Sequence, residues 1–203
     1  MTNPKLERRA YELQELRVVG DDGKTRIAGS AAVFNQLSED LGGFREKIAP
    51  GAFKNSLGGD VRALFNHDAN FILGRTKSKT LRLNEDRNGL HFEIDPPDSD
   101  WARHVVAAIE RGDVSGASFG FRARGDDWEE VDGEIVRTLL DVELFDVSPV
   151  VFPAYPQTDV ALRALDDWKK GRDAKAAADA AAVFAAGPAL ELRRRRLDLD
   201  ALD

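Results

Sequence analysis

From Tyr11 to about Val160, apolar and polar positions follow a mostly two-residue period, and that pattern predicts strands. Tyr11–Val19 alternates loosely and stops at the turn cluster Gly20-Asp21-Asp22-Gly23. Thr25–Phe34 is a second strand, rich in small residues. Gln36–Lys47 carries Gly42-Gly43 and reads as a loop, and Ala49-Pro50-Gly51-Ala52-Phe53 opens a short helix, with proline near its first turn. Val61–Phe65 is a strand that runs into the polar tip Asn66-His67-Asp68. Short strands follow at Ile72–Arg75, Leu81–Asn84 and Leu90–Ile94, with a tight turn at Asn88-Gly89 joining the last two.

The period lengthens once inside this region. Asp98–Arg111 places Trp101, Val105, Ala108 and Ile109 at helical spacing, with Ser99 or Asp100 to cap it and Gly112 to end it. Strands resume at Gly116–Arg124, Ile135–Leu140 and Val142–Phe152, and Pro153-Ala154-Tyr155-Pro156 stops the last. Beyond Val160 the chain changes character. It is charged and helical to Asp179, alanine-rich over Ala174–Ala186, broken at Gly187-Pro188, and basic at Arg193–Arg196. This divides the chain into an N-terminal arm (1–10), a domain (11–160) and a helical or linker tail (161–203). Many short strands with one or two helices predict an α+β domain on a curled or closed sheet. A doubly wound parallel sheet is excluded, because strands and helices do not alternate and no glycine-rich phosphate loop is present.

Composition narrows the chemistry. The 203 residues contain no cysteine, which removes a disulfide framework, a cysteine zinc site and a thiol nucleophile together. The net charge of -7 argues against a dedicated nucleic-acid surface, and Arg193–Arg196 reads as a solvated helix face or a contact with an acidic partner. Met1–Ala10 is polar and basic, unlike a signal peptide, and no run approaches the ~18 apolar residues of a membrane span. The expectation is a soluble, intracellular protein. The histidines lack i, i+4 spacing, and neither a zinc nor a calcium motif is present, so no metal or cofactor is expected.

Without cysteine, a covalent mechanism would fall to serine, threonine, lysine or a carboxylate. Ser118 sits in Gly116-Ala117-Ser118-Phe119-Gly120-Phe121, where small neighbours leave a hydroxyl accessible and let backbone N–H groups approach an oxyanion. The bland alternative is a strand serine between glycines that make room for a neighbouring strand. Ser115 is a rival nearer the helix end. There are 3 histidines. His67 stands at the tip of an apolar strand, where scaffolds present functional groups. His91 alternates with Leu90 and Phe92 and is expected to face solvent; His104 lies on a helix surface. For a third member the candidates are Glu143 and Asp146, which face opposite sides of a regular strand. Asp146 is preferred because it would share a face with Leu144 and Ser148, although a bulge would reverse that parity.

Six strings in this order resemble the tailed-phage prohead protease family of capsid-maturation serine proteases. They are Gly29-Ser30-Ala31-Ala32-Val33-Phe34-Asn35, Gly42–Phe53, Val61-Arg62-Ala63-Leu64-Phe65-Asn66-His67-Asp68, Leu73-Gly74-Arg75-Thr76, Arg111–Phe121 and Phe145–Pro156. The resemblance implies a fold similar to herpesvirus assemblin proteases, a mostly antiparallel closed barrel wrapped by helices. It places the family histidine on His67, the family serine on Ser118, and the acid on Asp146, where relatives often have glutamate. Herpesvirus relatives use a second histidine as third member, and none follows Ser118 here. The implied activity is endopeptidase cleavage inside the assembling prohead, in the host cytoplasm. Implied substrates are the scaffold or N-terminal delta region of the major capsid protein, and the protease itself. Dimerisation is implied by the same analogy, and the tail becomes a targeting or self-cleaved segment. The competing readings are a non-enzymatic scaffold that keeps the fold and an esterase; the missing GxSxG elbow weakens the latter.

Overall fold

The computed structural model describes residues 6–12, 16–21, 24–153 and 159–200. The chain divides into two units, Met1–Leu162 and Arg163–Asp203. The first is an α+β arrangement dominated by strands. A six-stranded sheet contains β1 (Glu7–Glu12), β9 (Gly116–Val131), β10 (Glu134–Val150), β5 (Arg62–Phe65) and β6 (Asp68–Arg75) in that spatial order, with β4 (Arg45–Ile48) also paired to β10. A four-stranded sheet runs β2 (Arg17–Asp21), β3 (Lys24–Val33), β8 (Gly89–Ile94), β7 (Leu81–Glu85). Most pairings are antiparallel, but β10 pairs in parallel with β4 over Val136–Leu139 and with β5 at Asp146 and Val147. Ile27, Phe53, Phe92, Phe119 and Ile48, none more than 2% exposed, anchor one continuous apolar core. Burying each such side chain stabilises by roughly 1.5–3 kcal/mol before entropy is charged against it.

The expected closed, assemblin-like barrel is not what the hydrogen bonds form: among the described residues they make two sheets, not one ring. Part of the reason lies in β10. Its pairing with β9 shifts register between Leu139 and Asp141, between Asp141 and Val142, and between Leu144 and Asp146. Each shift bends the strand locally. Its first half thereby serves β4 and its last part serves β5. Two strands expected at Ile135–Leu140 and Val142–Phe152 are therefore one, irregular at Asp141. The hairpin before it closes on Asp132 and Gly133, with φ of 53° and 82°, the left-handed pair of a two-residue turn.

Other expectations shift for identifiable reasons. The helix is α1 (Asp100–Arg111), burying Ala102, Val105 and Ile109 and ending at Gly112, whose φ of 82° is the left-handed cap. Ser99 occupies the N-cap position without a side-chain cap bond. Ala49–Phe53 forms turns and no helix; the carboxylate of Glu85 accepts from the N–H groups of Gly51 and Phe53. Gly89 lies inside β8 beyond the turn, where an added Cβ would stand 2.0 Å from the Ala32 carbonyl oxygen. The turn at Asp22-Gly23 and most of the stop after Pro153 lie outside the described residues. The second unit consists of the continuation of α2 (Asp159–Asp200), whose backbone stays helical through Gly187-Pro188. Proline removes one intrahelical bond there, and the alanine-rich flanks, good helix formers, carry the helix past it. Among the described residues no helix is long and apolar enough to cross a membrane.

Two elements were missed by the sequence pattern. Glu7–Ala10 is no free arm but most of edge strand β1, and Arg45–Ile48 is a strand where a loop was expected. In both, the inward positions are charged: Glu7, Arg9 and Glu46 are each at most 2% exposed. They close a network with Arg137. Arg9 donates to Glu46 at 2.7 and 3.0 Å and to Glu7 at 2.8 Å; Arg137 donates to Glu7 at 2.9 Å and to Glu46 at 3.1 Å. Asp126 accepts from Arg137 at 2.7 Å. Both guanidinium groups also stack near rings, Arg9 by Phe121 and Arg137 by Trp128. Burial pulls both arginines down in pKa, but Glu46 and Glu7 outweigh it and hold them above the ordinary value. This network ties β1 to β4 and β10 beside the site described next.

Candidate active site

Three elements of the larger sheet meet at one point. Ser118 lies on β9, where alternation sends Ala117, Phe119 and Phe121 into the core and leaves Ser118 and Gly120 on the opposite face. On β10, Ser148 stands across from Ser118 and Asp146 across from Gly120, so both share that face. His67 comes from the tip of the β5–β6 hairpin. Phe65 pairs with Asp68, and the two residues between them, Asn66 and His67, have φ of 52° and 59°. That is a left-handed two-residue turn. Asparagine tolerates it; a histidine there stores roughly 1–3 kcal/mol of strain and needs its surroundings to hold it. Asn66 supplies part of that hold, donating its N–H to Pro149 O at 3.0 Å and accepting from the Val151 N–H at 2.9 Å.

The imidazole bridges the other two groups. His67 Nδ1 lies 2.5 Å from Asp146 Oδ1, and Nε2 lies 2.6 Å from Ser118 Oγ. An ionised carboxylate can only accept, so Nδ1 carries the proton and the Nε2 lone pair faces the serine. Asp146 Oδ1 also accepts from the hydroxyl of Ser148 at 2.8 Å. The Ser118 hydroxyl has a second acceptor, the Arg9 carbonyl on β1, at 2.8 Å. The buried network under β1 thus positions a main-chain group that touches the serine. Over the site is a cleft of about 360 Å³, with His67 and Ser118 flanked by Ala10, Val150, Val151, Phe152, Asn66 and Arg8. A larger cavity, about 440 Å³, lies against α1 around Pro96, Pro97 and Arg103 and contains neither a histidine nor a serine.

The remaining sequence candidates fall elsewhere. Glu143 faces Arg122 and Arg124, at 3.9 and 3.3 Å. Ser115 and His104 are exposed, the latter on α1. His91 takes the face opposite the buried Leu90, Phe92 and Ile94, as the alternation predicts, and is half-buried there, directly across from Ser30 on β3. Its Nδ1 is 2.9 Å from Ser30 Oγ and its Nε2 is 3.0 Å from Asp86. These are again serine, histidine and aspartate, but Ser30 and His91 are register partners on adjacent strands, and neither lines the cleft. Sequence reasoning reached Asp146 through a parity that the bulge at Leu144–Asp146 reverses: Leu144 packs in the core while Asp146 faces the serine. Ser148, Asn66 and the Arg9 carbonyl were not anticipated. A carbonyl leaves no trace in a sequence, but the serine two residues after the acid, on the same strand face, was available as a signal.

Gly120 gives the acid its room. A Cβ on residue 120 would stand 2.2 Å from Asp146 Oδ2. Gly120→Ala is expected to push the carboxylate off His67 while the strand stays folded, lowering kcat by roughly 10² or more. Steady-state kinetics beside a circular-dichroism melt would check this; unchanged kcat would show that the carboxylate has slack.

The chain belongs to the caudovirus prohead serine protease family, whose model matches residues 9–171. It is therefore a serine protease of phage capsid maturation. A curated relative is the prohead protease of Enterobacteria phage HK97, 30% identical over 171 residues, covering 81% of this chain and 72% of that one. A solved structure, that of the bacteriophage T4 capsid assembly protease, aligns with a TM-score of 0.47 and 13% identity over 75% of this chain and 100% of that chain.

Proposed function

We propose that this chain is an endopeptidase that works through an acyl-enzyme formed on Ser118, with His67 as base and Asp146 as the orienting acid. The carrying observation is the unbroken chain Asp146–His67–Ser118 at 2.5 and 2.6 Å, opening on a cleft. Ser118 Oγ attacks the scissile carbonyl carbon as its proton passes to Nε2. The resulting imidazolium lies against Asp146, which accepts from Nδ1 throughout. His67 then gives the proton to the leaving amine, and water repeats the sequence to release the acyl group. Asp146 fixes the tautomer, and Ser148 fixes Asp146. No step calls for a metal or cofactor.

The substrates that fit the family's setting are the scaffold or delta region of the major capsid protein and the protease itself, within the prohead in the host cytoplasm. Residues 161–203 are read as a targeting or self-cleaved tail: most of it forms a unit of its own, Arg163–Asp203, which carries the run Arg193–Arg196. Cleavage is concentrated where assembly gathers the protein, with dimerisation as one route. A fluorophosphonate probe tests the nucleophile. It is expected to label Ser118, identified by peptide mapping, and to lose that label in His67→Ala. Absence of labelling at high protein concentration would favour a non-enzymatic scaffold.

A further inference from the structure

We infer that Arg8 selects substrates, favouring a peptide with aspartate or glutamate beside the scissile bond. The inference rests on the protease reading above. Arg8 and Ala10 lie on the same face of β1, two residues apart. Ala10 is the register partner of Ser118, and Arg8 is the partner of Gly120, itself across from Asp146. The Arg8 side chain therefore rises from the nucleophile's face, about 7 Å along the strand from it. Gly120 has no side chain to separate it from the cleft. Arg8 is exposed and lines the cleft, and among the described residues its guanidinium has no hydrogen bond or ion pair. Elsewhere the cleft presents Ala10, Val150, Val151 and Phe152, so Arg8 is the sole permanent charge among its lining residues.

The anchoring of this group matters as much as its charge. Its own carbonyl accepts from Arg9 Nη1 at 2.8 Å, and Arg9 is locked in the buried network. The backbone under Arg8 is thus held by the same contacts that hold the carbonyl on Ser118. A guanidinium on a fixed strand, facing an apolar cleft, offers a planar donor fork to a carboxylate. An amide of the same shape cannot return the charge, and a lysine would be repelled.

The test uses the full chain and a mixture of synthetic peptides randomised around a central segment, with cleavage sites counted by mass spectrometry. Wild type is expected to cut beside Asp or Glu about tenfold more often than beside Asn or Gln, as one charge-assisted bond would give. Arg8→Ala should bring that ratio near unity, and Arg8→Glu should turn the preference toward Lys and Arg. An acid-to-amide ratio that survives Arg8→Ala, or a rate that falls equally for all peptides, overturns the inference and leaves the protease reading standing. Wild type that cuts none of the mixture overturns both. Circular dichroism of each variant establishes that β1 remains folded.

Discussion

Replacing Ser118 with alanine is expected to lower peptide cleavage by a factor on the order of 10⁶, leaving a folded chain. The size follows from the geometry. In the proposed mechanism His67 and Asp146 move one proton from Ser118 Oγ, and without that oxygen they have nothing to activate. Removing one member of such a unit costs about as much as removing all, because the parts act in one step. Structurally the change is small. The cleft gains little space, and the Arg9 carbonyl loses its hydroxyl donor, a cost of about 1 kcal/mol. Activity and stability therefore separate: kcat collapses while the denaturation midpoint hardly moves. Purified Ser118→Ala that still cuts capsid protein, scaffold or itself would remove Ser118 from the mechanism. A variant that fails to fold would show that the hydrogen bond to β1 matters more to the architecture than the distances suggest.

Which parts of this site could be read from the sequence depends on how local the signal is. His67 and Ser118 were legible because each sits in a short string whose neighbours explain it: a polar tip after Leu64-Phe65, and small residues around a strand serine. Asp146 was legible as a position but not for the reason given. The bulge beside Phe145 is set by pairing with β9, and no period within β10 announces it. Phe145 lies under the Arg122 guanidinium, 4.7 Å from ring centre to charge, outside the alternation that a regular strand would impose. Strands β1 and β4 were missed because inward charge looks like outward charge when partners are 37 or 130 residues away. The two-sheet arrangement was missed for a related reason: closure depends on register between distant strands, whereas alternation reports only which face a residue takes.

Glu46→Ala is expected to destabilise the protein by about 3–5 kcal/mol, the cost of leaving buried charges without a partner. Glu46 accepts from Arg9 at 2.7 and 3.0 Å and from Arg137 at 3.1 Å, all with side chains no more than 2% exposed. Both arginines stay protonated, so alanine leaves two buried cations sharing Glu7, with Asp126 reaching Arg137 alone. A domain of this size is stable by only about 5–15 kcal/mol, so the loss is a large fraction of the whole. Asp126→Ala is the internal comparison. Its side chain is 28% exposed, and water can replace it, so a loss near 1 kcal/mol or less is expected. Urea denaturation of the two variants measures the contrast. Equal midpoints would mean the network is wetter than its burial implies. The same substitution reaches the active site through β1. With Arg9 loosened, amide hydrogen exchange at Arg9 and Ala10 should rise before exchange in the paired centre of β9 and β10. Ser118 would then keep His67 but lose its fixed carbonyl, so that a fold contact and a catalytic contact fail together on one strand.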